Sequence, residues 1–266
     1  MTVRRIGITL ALGVALTAAS CSSDTADQAE SVASDATSAA SSVAGEAGDA
    51  VSEATGGANS EPTDAPVQEL LLTPDEVTSM PMQEADPAML AQAGAGFDMP
   101  EGMEINFDPP ECADAADMNS ALAKDVADGE LAALMGGGET STVAYTIQVL
   151  RTSISFDEYQ TNWGNCENVQ FEGQALGMSG TSTSADAPEI EGVDDVVART
   201  TDTQVEGVLG EGGRMATLVY LTEVRGVKVV GGAVTAPELG GEIGPEAEAE
   251  LADLMAQQVA KVNNAG

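Results

Sequence analysis

The sequence predicts an α+β fold: an antiparallel sheet of about five strands packed by helices, held by one disulfide and preceded by a signal peptide and a disordered tether. Three observations predict it. Residues 140–152, 169–184, 195–201, 214–225 and 227–234 carry strand patterning with short connections, which favour antiparallel pairing. The last segment, from Gly244 onward, traces a helical apolar stripe. Cys112 and Cys166 remain as a pair once Cys21, at the end of the leader, is set aside. The chain divides into a signal peptide over 1–20, a low-complexity tether over 21–66 and a domain over 67–266.

Charge narrows the function. The chain carries 44 acidic residues against 9 basic ones and no histidine, a formal net charge of -35. Nucleic acid is excluded as a partner, because neutralising phosphates needs Lys and Arg. An anionic lipid surface is not met by a basic patch either. Without histidine there is no Ser-His-Asp triad, and a thiol nucleophile lacks its usual base.

Arg4 and Arg5 precede an apolar run, Ile6 to Ala19, too short to span a bilayer. The run ends Leu16-Thr-Ala-Ala-Ser-Cys21, which resembles a bacterial lipobox, with Ala18 where that pattern has Leu. The resemblance implies a diacylglycerol on Cys21 and attachment to the outer face of the cell membrane; an ordinary cleaved secretory signal is the alternative. Export places Cys112 and Cys166 in an oxidising compartment, where they form a disulfide; two buried free thiols are the alternative.

Along the chain, residues 22–66 hold Ser, Ala, Asp, Glu, Gly and Thr with no aromatic ring, too little apolar area to offset ordering. Val32, Ala36, Ala40, Val43, Ala47, Ala50 and Ala54 recur at helical spacing and give the middle a weak helical tendency. Thr73, Pro74 and Glu76 form a capping box that opens a short helix to about Met80. Residues 81–110, rich in Pro and Gly, read as a long surface segment. Glu111 to Met135 reads as a helix broken near Gly129 and stopped by Gly136, Gly137 and Gly138. Val143, Tyr145, Ile147 and Val149 then alternate as a strand.

Ser155 and Glu158 make a second capping box on a helix whose Phe156, Tyr159, Trp163 and Cys166 share one face. With aromatics at 3% of the chain, this helix is expected to anchor the core. Arg225-Gly226 is the tight turn of a hairpin. Gly244, Pro245 and three glutamates, Glu246, Glu248 and Glu250, open the closing helix. Its Leu251, Leu254, Met255, Val259 and Val262 should cover one sheet face.

This order of elements, with Leu70-Leu-Leu-Thr-Pro-Asp-Glu76, Trp163-Gly-Asn-Cys166 and Val219 to Val234 around Arg225-Gly226, resembles a known family. It is similar to the extracellular sensor domain of actinobacterial receptor kinases of the PknH type, and to free-standing lipoproteins carrying that domain, over about residues 68–263. The resemblance implies an α+β domain with an antiparallel sheet, a cleft and disulfide support. Kinase-attached members use two disulfides, whereas only Cys112 and Cys166 are available here.

No cofactor and no metal is expected. Asp108, Glu111, Asp114 and Asp117 form an oxygen-rich group that Ca²⁺ would accept, but a solvated helix start accounts for them better. The methionines gathered between Met80 and Met135 would suit Cu(I), yet more often fill gaps or line adaptable apolar surfaces. Met89, Phe97, Met99, Met103 and Phe107, with Trp163, are therefore the candidate apolar ligand groove. The expected function is that of a lipid-anchored, non-enzymatic, sensor-like cell-envelope lipoprotein whose domain binds an unknown envelope ligand or protein. A carrier of a lipid or other apolar molecule across the envelope, and a structural surface protein, are the alternatives.

Overall fold

The structure, a computed structural model, describes residues 61–86, 105–113, 130–137, 142–173, 177–205, 213–235 and 242–265. The expected leader and nearly all of the tether lie outside these residues. One antiparallel sheet organises the domain. Among the described residues it has nine strands: β1 Met82–Glu84, β2 Asn106–Asp108, β3 Leu131–Gly136, β4 Val143–Leu150, β5 Asn168–Gly173, β6 Met178–Ser184, β7 Val196–Val205, β8 Gly213–Val224 and β9 Val227–Thr235. Their spatial order is β1-β3-β4-β9-β8-β7-β6-β5-β2. Among the described residues three helices accompany it: α1 Val67–Leu70, α2 Phe156–Asn165 and α3 Pro245–Asn264.

The sheet is larger than the five strands expected. The run 169–184 is two strands, β5 and β6, paired as a hairpin. Both ends of the segment read as a surface loop are strands, β1 and β2, and they form opposite edges of the sheet. The expected helix over Glu111–Met135 is corrected at both described ends. A 3-10 turn occupies Pro110–Cys112, and Leu131-Ala-Ala-Leu-Met-Gly136 is β3. That hexapeptide has helical propensity, but pairing with both β1 and β4 overrides it.

The capping box at Thr73 closes a turn rather than a helix. Glu76 N–H donates to the Thr73 carbonyl at 3.0 Å, while the Glu76 carboxylate accepts from Thr73 N–H at 2.7 Å and from Lys261 Nζ at 2.6 Å. Just upstream, Leu72 N–H donates to Gln258 Oε1 at 2.9 Å and Gln258 Nε2 donates to the Leu70 carbonyl at 2.7 Å. The chain is thus held across α3 before a helix can propagate.

α3 is as predicted, with Pro245 in its first turn and Leu251, Leu254, Met255, Val259 and Val262 all fully buried. It seats on β9, β4 and β8. The approach is close at Gly231, where a Cβ would lie 2.8 Å from Met255 Sδ. The hairpin β8–β9 turns through Arg225 and Gly226, both at positive φ, as a two-residue turn requires.

α2 has both halves of its capping box, with Glu158 N–H donating to Ser155 Oγ at 3.2 Å and Ser155 N–H to Glu158 Oε2 at 3.0 Å. It is not the centre of the core. Tyr159 and Cys166 are buried, whereas Phe156 and Trp163 are half-buried. The main core lies instead between α3 and the strands it covers.

Candidate functional site

Directly paired residues of antiparallel strands share a face, and alternate residues share it along each strand. The registers therefore place Ile147, Gly231, Tyr220 and Ala198 together under α3. A helix is about 10 Å across and strands lie about 4.8 Å apart, so one helix covers only two or three strands. Beyond that cover the same face runs on across β8, β7, β6, β5 and β2 as two polar rows. Asp202, Thr181, Gln170 and Asp108 form one row, which Ala216 continues on β8, and Arg214, Gln204, Ser179, Glu172 and Asn106 form the other. The rows line an open groove of about 670 Å³, within the usual range of ligand sites.

The opposite face of these strands is what holds them. β5 alternates strictly, with Val169 and Phe171 buried and Gln170 and Glu172 exposed to the groove. The Phe171 ring lies across Gly180, where a Cβ would sit 2.4 Å from its Cζ. Phe107, Phe171 and Met178 form a small apolar cluster with Ile105. The edge strand β2 is only three residues long, and the Cys112–Cys166 disulfide secures it. Cys112 ends the 3-10 turn after β2 and Cys166 caps α2 just before β5, with a Cα–Cα separation of 5.8 Å. The bond therefore joins the two strands that make the outer wall of the groove.

Arg199, on the face away from the groove, completes this support. Its Nη1 donates to the Cys166 carbonyl at 2.7 Å and its Nε to Ser182 Oγ at 3.1 Å. The guanidinium lies 5.6 Å from the centre of the Trp163 ring, and burial lowers its pKa. It meets the carbonyl end of α2, where a cation is favoured.

Arg214 is the cation within the groove. Its Nε donates to Asp202 at 2.8 and 2.9 Å, its Nη2 also meets Asp202, and Glu242 lies at 3.9 Å. The guanidinium holds the Asp202 carboxyl below the usual range and is itself raised by it. The other described cations are engaged elsewhere. Arg151 donates to the Thr63 and Ala65 carbonyls, and Arg225 to those of Glu61, Val262 and Ala265. Lys228 pairs with Glu223, and Lys261 with Glu76. Amide, hydroxyl, carboxylate and guanidinium groups side by side make the groove a hydrogen-bonding surface.

The structure brings together few of the residues predicted for an apolar groove. Cys21, Met89, Phe97, Met99 and Met103 lie outside the described residues. Phe107 lines the groove from β2, half-buried and packed against the disulfide and Phe171. Trp163 does not reach the groove; it packs edge-on with Tyr159 and beside Arg199. Of the oxygen-rich group, Asp108 lies in the groove and Glu111 on the 3-10 turn, while Asp114 and Asp117 are outside the described residues. Among the described residues, no group of three His, Cys, Asp or Glu is placed to hold a metal ion. The polar rows were missed, although the alternation of Val169 and Phe171 with Gln170 and Glu172 marks one of their strands.

A family model described as "Domain of unknown function (DUF5642)" matches residues 67–263. No curated protein matches the chain. An X-ray structure of an uncharacterized protein from Mycobacterium smegmatis, the Rv0999 ortholog, is similar at 19% identity, covering 69% of this chain and 86% of that one, with a TM-score of 0.39.

Proposed function

The chain belongs to the DUF5642 family, a domain of unknown function, and from that premise we propose that it is a lipid-anchored, non-enzymatic protein of the cell envelope that binds a ligand or partner. Cys21 carries the lipid on the outer face of the cell membrane, residues 22–66 tether the domain, and the polar groove over β7, β6, β5 and β2 is the binding surface. The observation that carries the binding reading is the groove itself: half of a sheet face that none of the described helices covers, lined largely by hydrogen-bonding side chains. A chain without histidine supports binding over catalysis, because Ser179 and Thr181 have no imidazole to activate them. The finer form of this reading is a sensor domain of the PknH type. A polar groove favours a ligand that forms hydrogen bonds over the lipid cargo of a carrier.

Two measurements test it. Mass spectrometry of the N-terminal peptide from the membrane fraction should find a diacylglycerol on Cys21, and Cys21→Ala should release the protein; an unmodified Cys21 would overturn the anchor. Native mass spectrometry of the purified protein should find no bound acyl chain in the domain. A co-purifying apolar molecule would replace the hydrogen-bonding site with the carrier reading.

A further inference from the structure

The groove's own charges point to the class of its ligand, and the inference rests on the groove being a binding surface. Asp108 and Glu172 occupy neighbouring strands in diagonal positions, Asp108 opposite Gln170 and Glu172 opposite Asn106. The usual diagonal spacing of such a pair is about 7–8 Å between Cα atoms. Between them and Arg214 lies Asp202, which Arg214 already neutralises. No salt bridge among the described residues involves Asp108 or Glu172, and every described Lys and Arg other than Arg214 is engaged away from the groove. The groove therefore carries negative charge that the described part of the fold does not neutralise, within a chain whose net charge of -35 attracts cations from a distance.

Around the carboxylates, Asn106, Gln170 and Gln204 present amides that both donate and accept, and Ser179 and Thr181 add hydroxyls. That is the complement of a peptide backbone flanked by cationic side chains. The rows cross five strands, roughly 19 Å at ordinary strand spacing, which suits an extended segment of several residues. We propose that the groove binds an extended peptide carrying Lys or Arg side chains, its cations meeting Asp108 and Glu172 and its backbone the amide and hydroxyl groups of the two rows.

The test titrates the full chain with a fluorescein-labelled tetralysine peptide at physiological salt and follows anisotropy. A tetraglutamate peptide and a neutral chitotetraose are titrated in parallel. Asp108→Asn/Glu172→Gln should weaken tetralysine binding at least tenfold. Asp64→Asn/Glu189→Gln, which removes the same charge at exposed positions outside the groove, should change it less than twofold. Unaltered melting midpoints in both variants establish that the fold is kept. Equal losses in the two variants would overturn the proposal, since attraction would then follow net charge alone. Binding of chitotetraose with no binding of tetralysine would overturn the ligand class while leaving the groove as a site. Failure of all three probes would overturn the proposal, and a diacylglycerol found on Cys21 would still support the anchored reading.

Discussion

One face of one sheet has two halves in this molecule, and they differ in composition more than in geometry. Under α3, β9 is buried on both faces and apolar at almost every position. At the other end, β5 buries alternate residues and offers Gln170 and Glu172 outward. Both halves are built from antiparallel pairs of one continuous sheet. What separates them, among the described residues, is whether a helix lies on top. A covered half needs apolar side chains at helix-packing distance, down to the missing side chain at Gly231. A half that no described helix covers is free to hold polar groups, and here it holds them in rows.

The sharpest way to break the contrast is to alter side chains on each half and compare the cost. Leu251→Ala/Leu254→Ala removes two fully buried side chains from α3 and should cost roughly 4–10 kcal/mol, enough to unfold a typical domain. Circular dichroism in urea would read it. Thr181→Val on the groove side should move the midpoint by less than about 0.5 kcal/mol.

Reducing Cys112–Cys166 comes next. The bond spans 54 residues, for which chain entropy gives roughly 4 kcal/mol. Loss should lower the melting midpoint by several degrees. In hydrogen exchange, β2 and β5 should lose protection before β4 and β9 do. Arg199→Met should cost about 2–3 kcal/mol, because the Cys166 carbonyl and the Ser182 groups lose their charged donor. Denaturant melts would check it, and a neutral result would mean that water replaces the guanidinium.

Acid should act on the covered half through one tie. Lys261 and then the Thr73 backbone hold Glu76 down to about 2. A lowered carboxyl pKa stabilises the fold above its ordinary value of 4.5 and loses that contribution as pH falls toward 2. The pair is partly exposed, so the effect on the melting midpoint is small. Glu76→Gln should abolish that part of the acid dependence.

The two halves were unequally legible in the sequence. α3 was readable because 20 residues repeat the helical period between a Gly-Pro start and a basic last turn. β8 and β9 were readable from long apolar runs on either side of Arg225-Gly226. The groove half was harder because its rows depend on pairing between distant segments. β2 meets β5 some sixty residues later, and three residues are too few for a periodic pattern. β3 was misread as helix because Leu131-Ala-Ala-Leu-Met135 satisfies local propensity, and only its neighbours β1 and β4 dictate otherwise. The rings of α2 suggested a core anchor, yet Trp163 faces the Arg199 guanidinium, a partner no local pattern announces.

Backbone amide chemical-shift mapping during titration of the full chain with tetralysine tests the central claim, that the groove half of the sheet is the binding surface. The account predicts shifts gathered on residues 106–108, 170–172, 179–181 and 202–204 and at Arg214, with α3 and β9 unmoved. Shifts centred on α3, or spread evenly over the acidic surface, would contradict it.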